Sequence, residues 1–182
     1  MHHFTTPKIY VADLAAYNAG RLIGEWLYLP DYHDVDDLMR DVKGVLEEGE
    51  EWAVHDYEGL PRSLYSEYPG RDGLRKMLYY VDLLDECRRP DAADYFVQYI
   101  ALDRGYDPEE WPDYFQQSYR GTYESPEDWA HEYIDSTGML RDMPENLRYY
   151  FDYEKFARDV RIGGDMDFHR DGAQVHVFDP HI

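Results

Sequence analysis

At 182 residues, 39 of them Asp or Glu and 18 Lys or Arg, the chain carries a formal charge of −21 at neutral pH. A field of that sign excludes ordinary nucleic-acid binding, and three explanations compete for it: a solvated acidic surface, adaptation to high salt, or a charged recognition face. The 43% hydrophobic and 16% aromatic content excludes a disordered acidic tail, and a single cysteine, Cys87, excludes an intrachain disulfide. Neither an apolar run near 18 residues nor a signal-peptide pattern is present, so a soluble, cytoplasmic protein without a membrane span is expected.

In chain order, residues 8–14, KIYVADL, alternate in the manner of a half-buried strand. Asn18-Ala19-Gly20 supplies turn chemistry, and residues 21–29, RLIGEWLYL, return as a second strand closed by Pro30. Asp34 is placed to cap a helix whose apolar stripe is Val35, Leu38, Met39, Val42, Val45 and Leu46. Residues 51–57 resume period two, with Trp52, Val54 and Asp56 expected on one face and Ala53, His55 and Tyr57 on the other. The N-terminal third therefore reads as a ββαβ module.

The middle third is helical in character. Residues 72–89 and 91–104 form two helix patterns split by Pro90, and residues 108–118 a shorter one. A strand at 119–124 leads into Ser125-Pro126-Glu127-Asp128, an N-cap with Pro at the first helical position, and Gly138 is suited to end that helix. A helix at 152–161, a mobile break at Gly163-Gly164 and a last strand at 173–179 complete an α+β reading.

Catalytic and metal motifs are weak. His131-Glu132-Tyr133 opens like a zinc-protease helix, but the fifth position is Asp135 where a second His is needed. His33-Asp34 and His55-Asp56 have no His at i+4, and the Asp-rich runs 31–37 and 165–171 lack the Gly and Glu of a calcium loop. Cys87 reads as a small buried apolar residue. No enzyme class gains support.

The unusual stretch is 45–61, VLEEGEEWAVHDYEGLP: six carboxylates, no Lys or Arg, and a strand-forming WAV at its centre. By pattern alone its acids could be a solvated turn. The sequence, however, resembles the ArdA antirestriction family from about residue 8 to residue 161. The likeness rests on IYVADLAAYNAGRLIGEWL, LEEGEEWAVHDYEG, YRGTYESPEDWAHEYIDSTG and YFDYEKFARDV, in that order.

The resemblance implies a protein of mobile elements that imitates DNA and occupies the DNA groove in the specificity/methyltransferase core of Type I restriction–modification enzymes. Such a protein is not an enzyme and needs no cofactor. It also implies an elongated chain of three small modules, at 1–61, 62–105 and 106–182, dimerising through the third. Carried onto this chain, the antirestriction motif supplies Glu47, Glu48, Glu50, Glu51, Asp56 and Glu58 as partner-binding acids, with Trp52 and Val54 in support. The alternative function is an acidic adaptor or decoy for another basic DNA-binding protein; a carboxylate-dependent hydrolase would need one buried, pKa-shifted acid.

Overall fold

Ile9 and Val11, both fully buried, lie on β1 (Lys8–Asp13), the central strand of a three-stranded antiparallel sheet. The computed structural model describes residues 5–47, 49 and 51–182. Contacts divide the chain into two compact units, residues 1–113 and 114–182, and the helical region expected at 62–105 falls within the first.

In the first unit, β1 is flanked by β2 (Gly24–Tyr28) and β3 (Trp52–Glu58), in the order β2-β1-β3. The expected direct hairpin is interrupted. A five-residue helix, α1 (Leu14–Asn18), follows β1 and is capped by Asp13, so β2 starts later than the sequence suggests. Gly24 is required at that start, because a Cβ there would lie 2.6 Å from both the Tyr10 hydroxyl and the Val11 carbonyl. Helix α2 (Val35–Gly44) buries Val35, Leu38 and Val42 as expected, while Val45 and Leu46 fall beyond its end. The Asp34 carboxylate accepts from the N–H groups of Asp36 and Asp37, which satisfies two donors left open at the helix start and holds Asp34 below the usual carboxylate range.

The long α3 (Gly70–Cys87) follows, burying Leu74, Met77, Tyr80, Leu83 and Leu84, and packs against α2 with Arg71 paired to Asp36. It ends where Arg88 takes a left-handed conformation, φ 52°, ahead of Pro90. Pro90 opens α4 (Pro90–Tyr95), which passes through a π-helical segment at Phe96–Ala101 into α5 (Leu102–Arg104). The π segment keeps Phe96, Val97, Ile100 and Ala101 all buried. Helix α6 (Trp111–Ser118) contains the boundary between the units.

The second unit has its own antiparallel sheet, order β4-β6-β5, formed by β4 (Tyr119–Tyr123), β5 (Asp167–Asp171) and β6 (Gln174–Phe178). Ser125 caps α7 (Pro126–Thr137) and Gly138 ends it in the left-handed region. The short α8 (Glu145–Arg148) precedes α9 (Tyr153–Gly163), which packs against α7. Trp129, Ala130, Ala157, Val175 and Val177 form the core there, ringed by Tyr133, Phe156 and Phe168. The Gly163-Gly164 break, expected to be mobile, is instead the left-handed cap of α9 and leads into β5, a strand the Asp-dotted pattern concealed.

Candidate partner-binding surface

The acidic motif sits on a loop and a strand fixed by the buried carboxylate of Asp13. Asp13 is 1% exposed. One of its oxygens accepts from Ala16 N–H at 3.0 Å and the other from Glu47 N–H at 2.9 Å, so a single side chain caps α1 and tethers the loop that follows α2. Those two donors, Ala16 foremost, hold the Asp13 carboxyl below its usual range against the opposing effect of burial. Leu14 N–H donates to the Glu51 carbonyl at 3.1 Å, a second tie on the same loop.

Around this anchor the four described motif acids are exposed. Glu47 is exposed and accepts from Arg21 at 2.6 Å; Glu51 and Asp56 are exposed; Glu58 is exposed and pairs with Lys8 at 3.0 Å. The Arg21–Glu47 pair is exposed on both sides, and such pairs contribute only about 0–1 kcal/mol, whereas the Lys8 side chain is more sheltered. Glu48 and Glu50 lie outside the described residues. The supporting residues behave as expected in part: Val54 is fully buried and Trp52 half-buried.

The expected facing of β3 needs correction. Pairing with β1 shifts by one residue between Tyr10 and Val11: Val54 opposes Val11, whereas Asp56 opposes Tyr10. His55 is the extra residue of a β-bulge, and it resets the alternation. Val54 and Tyr57 therefore share the face of Ile9 and Val11, while Asp56 and Glu58 share the opposite face with Tyr10 and Lys8. Strict period two, which grouped Trp52, Val54 and Asp56, fails at this point. The bulged strand is secured on its outer edge, where Val54 N–H donates to the Glu67 carbonyl at 2.9 Å.

Sequence reasoning missed Asp13, Arg21, Lys8 and the aromatic residues of β2 as parts of this region. The available signal was an Asp directly before Leu-Ala-Ala, an N-cap ahead of helix formers, obscured because the helix is only five residues long. Elsewhere, His131 stacks on Tyr153 with ring centroids 3.6 Å apart, and His55 packs edge-on against Tyr17. Among the described residues no group of three or more His, Cys, Asp or Glu is arranged to hold a metal, and no helix is long and apolar enough to cross a membrane. Burial pushes the half-buried Cys87 thiol up, away from reactivity.

Acidity is not confined to the motif. Residues 1–113 carry 25 Asp or Glu against 11 Lys or Arg, and residues 114–182 carry 14 against 7, so both units are net negative. On α3, burial and then the neighbouring Asp85 and Glu86 raise the Asp82 carboxyl above its usual range.

Comparison with known proteins agrees with the residues. The family model described as antirestriction protein (ArdA) matches residues 9–175. No curated protein matches the chain. Members of that family are non-enzymatic inhibitors directed at Type I restriction–modification enzymes. With nearly the whole chain matched, from the first strand to the last, this protein belongs to the ArdA family of antirestriction proteins.

Proposed function

We propose that this chain blocks Type I restriction by presenting carboxylates in place of DNA phosphates to the DNA groove of the enzyme's specificity/methyltransferase core. The observation that carries this reading is the contrast along one short segment: Ala53 and Val54 are fully buried, while Glu47, Glu51, Asp56 and Glu58 around them are exposed. A packed strand holds charges that would otherwise drive one another apart. Carboxylates accept the same charge-assisted, bidentate bonds from arginine that phosphates accept. No cofactor enters this mechanism, and both units are net negative, which suits an attraction spread beyond the motif.

A homodimer belongs to the same proposal. In the second unit Leu147, Tyr149, Tyr150 and Ile162 are 50%, 90%, 81% and 73% exposed, an apolar set suited to association. Replacing Tyr149 and Tyr150 with Ser should shift the sedimentation of a dimer to that of a monomer.

The test of inhibition uses a purified Type I enzyme, ATP and target DNA. Excess protein should suppress both DNA binding and cleavage. Changing Glu47, Glu48, Glu50 and Glu51 together to Gln should weaken inhibition about tenfold or more with the circular dichroism unchanged, whereas Glu47→Gln alone should cost less than about threefold, because the attraction is spread over many groups. Full inhibition by the folded quadruple variant would remove those four acids from the mechanism. Capture of a nucleoid protein, with restriction subunits ignored, would favour the decoy reading.

A further inference from the structure

The face of the first sheet that carries Asp56 and Glu58 has an order that the acidic motif alone does not explain. Two rows of residues cross its three strands. Tyr28 on β2 opposes Lys8 on β1, which opposes Glu58 on β3; Trp26 on β2 opposes Tyr10, which opposes Asp56. The result is an aromatic column along β2 and an acidic column along β3, with Lys8 and Tyr10 between them. Tyr10 and Trp26 meet edge to face with centroids 5.5 Å apart. The Lys8 ammonium lies 4.4 Å from the Trp26 ring centroid and 5.6 Å from that of Tyr28, and 3.0 Å from a Glu58 oxygen.

Lys8 thus shows what this face does: two aromatic rings and a carboxylate hold a cation. Its side chain is 18% exposed, yet Tyr28 is 46% exposed and Glu58 likewise 46%, so the rim of the cage remains open to solvent. A guanidinium suits such a site better than an ammonium does. It is planar, stacks on aromatic faces, and reaches carboxylates with a two-pronged set of donors.

We propose that this face is a contact surface for an arginine of the partner enzyme, stacked on Tyr28 and Trp26 and paired to Glu58 and Asp56, with Lys8 holding the place while the protein is unbound. The inference rests on the antirestriction reading for the identity of the partner. It goes beyond that reading in making aromatic residues of β2 contact residues, and in giving one lysine of an acidic protein the role of an internal competitor. Binding to this face exchanges one cation for another, so the surface contributes selectivity for planar, arginine-presenting grooves more than it contributes raw attraction.

The test has two arms. In the first, the 15N-labelled chain is titrated with an acetylated tetra-arginine peptide. The Trp26 indole N–H should shift, further in Lys8→Met than in the wild type, and about two- to fivefold less sensitively in Tyr28→Ala. In the second, inhibition of a Type I enzyme is measured for Lys8→Met, for Tyr28→Ala, for their combination, and for Lys76→Met, an α3 substitution that removes the same charge elsewhere. Lys8→Met should strengthen inhibition more than Lys76→Met does, and the gain should vanish when Tyr28 is Ala. An unmoved indole, with Lys8→Met equal to Lys76→Met and Tyr28→Ala equal to wild type, overturns the proposal while leaving antirestriction intact. A shifting indole in a chain that leaves the enzyme uninhibited keeps the arginine site and sinks the antirestriction reading instead.

Discussion

The two sheets of this protein share a plan and differ in use. Each has three antiparallel strands with a buried central strand, β1 in one and β6 in the other. In the second unit, α7 and α9 pack together and an aromatic cluster around Trp129 fills the core, with Tyr133 and Phe156 stacked against that ring. In the first unit, one sheet face is apolar and fully buried at Ile9, Val11 and Val54, while the other presents Lys8, Asp56 and Glu58 among aromatic rings. The lesson is a division of tasks: the same small sheet serves as a packing platform in one place and as a display stand in the other.

The sharpest way to break this comparison is to empty the packing platform. Trp129→Ala should cost about 3–5 kcal/mol, read by urea denaturation, because the ring is 2% exposed and packed among Tyr133, Phe156 and Phe168. A cost below about 1 kcal/mol would show that the cluster is not the core of the second unit. Next in size is Gly59→Ala at the end of the display strand. Gly59 has φ 67°, and a Cβ there would meet the backbone of Thr5 and Pro7, so about 1–3 kcal/mol should be lost.

Asp13→Ala separates anchoring from display. It leaves every motif acid in place but removes the acceptor for Glu47 and Ala16 N–H. Hydrogen exchange at those two amides should rise about tenfold or more, with inhibition weakened several-fold. Unchanged exchange at Glu47 would refute the tether.

The smallest effect is a difference in pH response. The Asp13 and Asp34 carboxyls are lowered, so their contribution is complete above the unfolded value near 3.9 and fades as pH falls through their folded values. Asp82 and Asp94 are raised, Asp82 by burial and the adjacent acids, and Asp94 by burial against the opposing hydrogen bond from the Tyr80 hydroxyl. Their cost is absent below about 3.9 and complete above their folded values. Acidification from neutrality should therefore protonate Asp82 and Asp94 before Asp13 and Asp34. Carboxyl resonances followed by NMR would show the order, and the reverse order would contradict it.

The sequence was most legible where one local rule acts alone. Asp34, Ser125 and Gly138 are caps whose chemistry needs only their own neighbours, and all three stand where expected. Legibility failed where long-range pairing intervened. Helix α1 is too short for periodicity to register, and Asp13 acts through Glu47, 34 residues away. Strand β5, DFHRD, is polar at four of five positions and becomes a strand by pairing with β6. Of the motif, exposure of Glu47, Glu51, Asp56 and Glu58 was readable from charge, but which face Asp56 takes depends on a bulge with no signature in VHDYE.

That bulge has an unexpected corollary for the tolerance of this strand to deletion. Losing one residue from a strand ordinarily turns everything beyond it inside out. Here His55 is the surplus residue, and without it Val54 would still oppose Val11, and Asp56 would still oppose Tyr10. Excision of position 55 should thus shorten the strand while keeping Val54 inward and Asp56 outward, whereas excision of Val54 would draw His55 into the inward place and excision of Asp56 would put His55 in place of the outward carboxylate.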